Sequence, residues 1–373
     1  MKQIIQLKKG ILRTSGIYFS IVFFGIFLIS SCKKKDEPVS QYDLIKPKGP
    51  KPAWGPTITP QMQAFIETLD TISPIPLQTL TPQQARMQPG PPDAAMRVMR
   101  NFGIAMPAMK VDTTGQVIML PRGGQIYARI YTPKTGKATY PVVVYYHGGG
   151  WVIASIDAYN SSAQALAEQT DAIVVSVAYR KAPEFKFPTA HNDAFYAYKW
   201  ALVNASKFKG DSTHVAVAGE SAGGNLAIAV SMMARDSGVR KPLHQLAVYP
   251  IANYDFNSLS YVQYAAAKPL NKPLMQWFFG HYLNSPADGA DKRISLVNGN
   301  LAGLPATTII AAEIDPLQSE GKLLADKLQA AGVSTTYKLY TGVVHEFFGM
   351  AAIVPEARDA QALAAAQLKN AFK

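Results

Sequence analysis

The feature that most constrains this chain is a succession of short, unbroken apolar runs, each followed by residues at helical spacing. VVVYY (142–146), AIVVSVA (172–178), VAVA (215–218), LAVY (246–249) and the run 308–312 are of this kind, TTYKLY (335–340) follows them, and IYARIY (126–131) alternates like a strand. A strand that is apolar on both sides must be covered on both sides, which is the condition of a parallel sheet inside a protein. Helical patterns fill the intervals at 161–170, 189–205, 222–234 and 321–331, the last stopped by Gly332, and a final amphipathic pattern spans 356–372. The alternation predicts an α/β fold, a mostly parallel sheet with helices on both faces. Two stretches, 61–110 and 254–290, break the rhythm. They are helix-prone and carry aromatic and methionine residues, and they are expected to pack together as a helical cap on one domain spanning 61–373.

With 48% hydrophobic and 17% charged residues, the chain has the makings of a large core and is neither disordered nor fibrous. A single cysteine, Cys32, excludes an internal disulfide and a cysteine-based metal cluster. The formal charge of +12 raises the question of a nucleic-acid partner. Residues 1–31 hold Lys2, Lys8, Lys9 and Arg13 and no acid, and part of the remaining excess is the run Lys33-Lys34-Lys35. Zinc-finger spacing and RNA-binding aromatic signatures are missing, so no nucleic-acid partner is expected.

The N-terminus reads as an address. Lys8, Lys9 and Arg13 precede the apolar run 17–29 (IYFSIVFFGIFLI), and Ser30 and Ser31 lead to Cys32. Positive, apolar, small is the order of a secretory signal, and the run is short for a span of about 20 residues. Ile29-Ser30-Ser31-Cys32 resembles a bacterial lipobox, in which the cysteine is lipidated and becomes the new N-terminus. The expectation is a signal peptide over 1–31, a membrane anchor on Cys32, and a periplasmic or cell-surface protein. Residues 32–60, rich in Lys, Pro and polar residues, read as a flexible tether.

Chemistry enters after the run 215–218, which leads straight into Gly219-Glu220-Ser221-Ala222-Gly223-Gly224 and a helical pattern. This is G-x-S-x-G between strand and helix. A serine on so sharp a turn is exposed, and only small neighbours let the chain pass close by. Its place at a helix start favours developing negative charge. A second motif, His147-Gly148-Gly149-Gly150-Trp151, follows the strand 142–146. Glycine backbone N–H groups aimed at one point, with the N–H of Ala222 after the serine, make an oxyanion hole. The lysine and Ser/Thr pair of a phosphate loop are absent, and His147 reads as a loop-shaping residue.

A serine nucleophile needs a base, and the base needs an acid, in the chain order Ser, Asp or Glu, His. His244 opens a strand and His281 lies in the cap stretch. His345, in the loop after the strand 335–340, stands where a base belongs. Asp315 follows the strand 308–312 in Glu313-Ile314-Asp315-Pro316-Leu317, and Pro316 fixes the turn. Glu313 is its nearest rival; Asp255 and Asp326 fall in the cap stretch and in a helix.

HGGGW at 147–151, Ser155-Ile156-Asp157, YRKAPE at 179–184, Phe187-Pro188, GESAGGN at 219–225, Asp315-Pro316-Leu317 and His345-Glu346-Phe347 together resemble the hormone-sensitive-lipase-like branch of the α/β-hydrolases, the bacterial family IV carboxylesterases. The resemblance covers about 85–370. It implies Ser221 as nucleophile, Asp315 as acid, His345 as base, Gly148, Gly149, Gly150 and Ala222 as oxyanion hole, no metal or cofactor, and small esters of short to medium acyl chains as substrates. Some positions depart from the pattern: Glu220 replaces the more frequent Asp, Lys181 the usual Leu, Ala154 a usual Gly, and Gln318-Ser319-Glu320 a usual Arg-Asp-Glu. They bear on substrate preference and remove no catalytic group. An acetyl-carbohydrate esterase is the alternative, and a ligand-binding protein on a hydrolase scaffold is the reading from a different class.

Overall fold

The computed structural model describes residues 40–121 and 123–373. The signal run 1–31, Cys32 and the start of the expected tether lie outside the described residues. Eight strands form one sheet: β1 (Val111–Met119), β2 (Gln125–Pro133), β3 (Tyr140–Tyr146), β4 (Ile173–Ala178), β5 (Gly210–Glu220), β6 (His244–Val248), β7 (Ala306–Ile314) and β8 (Thr335–Val344). Their order is β1-β2-β4-β3-β5-β6-β7-β8. The first two pairings are antiparallel, and every pairing from β4 to β8 is parallel.

The helices are α1 (Gln41–Leu44), α2 (Pro60–Ile72), α3 (Pro82–Arg86), α4 (Pro91–Asn101), α5 (Asn160–Thr170), α6 (Thr189–Asn204), α7 (Ala222–Asp236), α8 (Leu259–Gln263), α9 (Lys272–Tyr282), α10 (Gln318–Ala330) and α11 (Pro355–Ala371). Successive strand residues point to opposite faces, and the two main cores divide accordingly. Val143 and Tyr145 of β3 join Leu166 of α5 and Leu368 of α11 on one side. Val142, Val144 and Tyr146 join Tyr198 of α6 and Leu226 of α7 on the other. The continuous apolar runs of the sequence thus fill two cores at once.

Two regions differ from the sequence expectation. Residues 111–119, unassigned in the sequence, form the edge strand β1. Most of its side chains face solvent, so it carries no apolar signature. Residues 40–60, expected as tether, instead pack on the body. Ile45 and Ile58 are fully buried in the first core. Tyr42 Oη donates to Ala351 O at 2.9 Å and Thr59 N to Gly342 O at 2.9 Å. Two isolated isoleucines anchor a stretch whose Lys and Pro content reads as unfolded, because burial of about 1.5–3 kcal/mol per side chain depends on the partner surface and not on local composition.

The two irregular stretches meet above the sheet. Lys268 Nζ stands 2.7 Å from Asp70 Oδ1, and Trp277 Nε1 donates to Leu80 O at 3.2 Å. Together they wall a cleft of about 710 Å³ that has Ser221, His345, Gly149 and Gly150 in its lining.

Candidate active site

β5 ends at Glu220, and α7 begins at Ala222. Ser221 alone makes the turn, with φ 55° and ψ −118°. Such a turn draws the strand and helix backbones together. A Cβ on Gly219 would stand 2.1 Å from Gly223 O, and one on Gly223 would stand 2.0 Å from Tyr146 O. That contact is the physical content of the two glycines in G-x-S-x-G. Ser221 N donates to Val248 O at 2.9 Å, and Ser221 O accepts from Asn225 N at 3.0 Å, which pins the turn to β6 and α7.

His345 follows β8, and its Nε2 lies 2.9 Å from Ser221 Oγ. Its Nδ1 lies 2.7 Å from Asp315 Oδ2. Asp315 follows β7, and its other oxygen accepts from Leu317 N at 2.9 Å across Pro316, an Asx-type turn that fixes the carboxylate. All three side chains are buried. Glu313 is elsewhere, accepting from Gly342 N at 2.6 Å and Thr57 Oγ1 at 3.0 Å. Asp326 pairs with Lys322 on the surface. Asp255 accepts from Asn257 N at 2.9 Å, and His244 Nε2 lies 3.0 Å from Thr308 Oγ1 inside the sheet.

The loop after β3 brings its glycines to the same place. Gly149 has φ 94°, and a Cβ there would meet Ile153 O at 2.4 Å, so no larger residue fits. The N–H groups of Gly149, Gly150 and Ala222 find no protein acceptor among the described residues. Gly149 and Gly150 line the cleft, whereas Gly148 is packed against Tyr159. His147 stacks on Tyr179 with centroids 4.3 Å apart, and its Nδ1 lies 2.8 Å from Gly148 O. Burial pushes the His147 imidazolium down to about 3, so this histidine stays neutral and shapes the loop.

Four side chains around the triad were given no role in the sequence reading: Glu220, Glu346, Tyr159 and Tyr249. Glu220 accepts from Tyr145 Oη at 2.5 Å and from Tyr249 Oη. Burial, then the negative charge of Glu346, pushes its carboxyl up to about 7. The Tyr249 ring packs on the His345 imidazole, centroids 4.4 Å apart. Glu346 accepts from Tyr159 Oη at 2.5 Å beside the glycine loop. Burial alone would lower the His345 pKa, but Asp315, Glu346 and Glu220 together outweigh it and raise it above the ordinary value of 6.5. Tyr159 and Tyr249 reach the site only through tertiary folding; the local signals were Glu220, adjacent to Ser221, and Glu346, adjacent to His345.

A serine, an imidazole and a carboxylate thus stand in hydrogen-bonded series on turns that follow three strands, in a cleft that Gly149 and Gly150 also line. The sequence profile of the alpha/beta hydrolase fold matches residues 143–349, and the chain belongs to that family, in its hormone-sensitive-lipase-like branch. Among its relatives, Carboxylesterase NlhH of Mycobacterium tuberculosis is 38% identical over 252 residues, covering 66% of this chain and 79% of the relative. An ethyl acetate hydrolase of Pseudomonas putida is 29% identical, covering 81% and 96%. The crystal structure of a thermostable esterase from Pseudomonas putida superposes with a TM-score of 0.78 at 29% identity, covering 85% of this chain and 98% of that one. A hyperthermophilic esterase from the archaeon Pyrobaculum calidifontis gives 0.75 at 34%, covering 84% and 98%.

Proposed function

We propose that this carboxylic ester hydrolase cleaves small esters of short to medium acyl chains through Ser221, His345 and Asp315. His345 Nε2 takes the hydroxyl proton as Ser221 Oγ attacks the ester carbonyl. Asp315 holds the other ring nitrogen in the N–H form and stabilises the imidazolium. The N–H groups of Gly149, Gly150 and Ala222 receive the oxyanion, each worth about 2.7–4 kcal/mol of barrier. The imidazolium then protonates the leaving alcohol oxygen. Water attacks the acyl-enzyme by the same route and releases the acid. The observation that carries this reading is the unbroken series of 2.9 Å and 2.7 Å contacts from Ser221 Oγ through His345 to Asp315. It also favours catalysis over mere ligand binding, which has no need of an aligned base.

Ser221→Ala is expected to lower kcat for p-nitrophenyl butyrate by at least about 10⁴-fold with an unchanged circular dichroism spectrum. A fluorophosphonate probe should label the wild type and not the variant. Equal labelling of both would put the nucleophile elsewhere.

A further inference from the structure

The cleft wall contains several charges, and nearly all have internal partners. Asp70 pairs with Lys268 at 2.7 Å, and Asp157 with Arg129 at 2.7 Å. Arg86 grips Glu184 with both guanidinium ends, at 2.9 and 2.8 Å, and gives two further donors to Val152 O and Ala182 O. Asp93 accepts from Gly90 N at 2.8 Å and caps α4. Glu346 accepts from Tyr159.

Lys181 is different. It lines the cleft and is only partly exposed. Its ammonium donates to Ala154 O, and among the described residues it has no carboxylate at ion-pair distance. An ammonium has three donors. Burial lowers the Lys181 pKa, the nearby Arg86 charge lowers it further, and the more distant Glu184 only partly opposes them. The fold thus keeps a partly dehydrated cation with no carboxylate in direct contact, its nearest negative charge, Glu184, being already gripped by Arg86, and such a cation is costly unless something else supplies negative charge at contact. Its location says what that would be. Ala154 stands against Gly149, where a Cβ would come within 2.9 Å of it, and the Lys181 charge is felt at His147. The cation therefore sits beside the loop that faces the reacting carbonyl.

We infer that the cleft accepts esters bearing a carboxylate a few bonds from the scissile bond, and that Lys181 is the residue that selects them. The inference rests on the esterase reading above. A leucine at this position would close the same wall with no charge, so Lys181→Leu isolates the contribution.

The test compares esters that differ only by a terminal methyl or carboxylate. On the acyl side these are p-nitrophenyl butyrate and p-nitrophenyl hemisuccinate. On the alcohol side they are propyl acetate and 3-acetoxypropionate. The readout is the ratio of kcat/KM, anionic over neutral, in the wild type, Lys181→Leu and Lys181→Arg. Both members are measured on one preparation, so the folded fraction cancels. In at least one pair the ratio is expected to fall about tenfold in Lys181→Leu, mainly through KM, and to be retained in Lys181→Arg, as for one lost charge-assisted hydrogen bond. A fall of less than about threefold in both pairs overturns the inference while leaving the esterase reading intact, and any larger fall supports it. A wild type that cleaves none of the four overturns both.

Discussion

Ser221 occupies a backbone region that L-residues avoid, at a cost of about 1–3 kcal/mol. The surrounding turn imposes it, through hydrogen bonds to β6 and α7 and the close approach of Gly223 to β3. The His345 imidazole beside it is tuned by more than Asp315. Asp315 acts on the imidazole with negative charge, as do Glu346 and Glu220 when ionised, and the Tyr249 ring packs on it. On the proposed mechanism His345 takes a proton and works only when neutral, so activity should rise with pH through its pKa. Since that pKa is raised, the acid limb of kcat/KM should have its midpoint above 6.5. Glu346→Gln removes one stabiliser of the imidazolium. The limb should then move to lower pH in a pH–rate profile with a neutral ester, while a limb that stays in place would show that Glu346 is electrostatically silent. At this scale the sequence was most readable where chemistry demands a local pattern. Ser221 announces itself by its glycines, and Asp315 and His345 by their order and their places after strands. Tyr159 and Tyr249 carry no such mark, because a phenol belongs as readily in a core as at a site, and only the folded chain brings them to Glu346 and Glu220.

Among the elements, β8 lies at the sheet edge and is buried mainly in its last residues, whereas β3 to β7 were legible because the greater part of each is covered on both sides and so runs apolar there. β1 was not, since an edge strand with solvent on most of its side chains needs no apolar pattern. The segment 40–60 was misread for a related reason. Its composition is that of a linker, yet it is held by Ile45, Ile58 and a few hydrogen bonds to β8 and the loop before α11. Ile58→Ala is expected to destabilise the protein by about 2–5 kcal/mol in urea unfolding, as for a large aliphatic side chain lost from a core. A true tether position would cost almost nothing, so an unchanged midpoint would return this segment to the linker class.

On the scale of the whole molecule, the described residues begin at Ser40, eight positions after Cys32 in the sequence. We propose that Cys32 carries the lipid expected from the sequence around it. The wild type expressed in a bacterium should incorporate radiolabelled palmitate and sediment with membranes, and Cys32→Ala should do neither. Soluble, unlabelled wild type would remove the anchor and leave the esterase reading untouched. The described body divides its labour by layer. Ser221, Asp315 and His345 stand on turns that follow β5, β7 and β8, whereas much of the cleft wall comes from 69–96 and 268–278, which contribute no strand to the sheet. Changes in those walls need not disturb strand register, and changes that stiffen the sheet need not touch the walls. Under selection, such a chain can acquire a new diet by drift in its roof while inheriting its reaction unchanged from below.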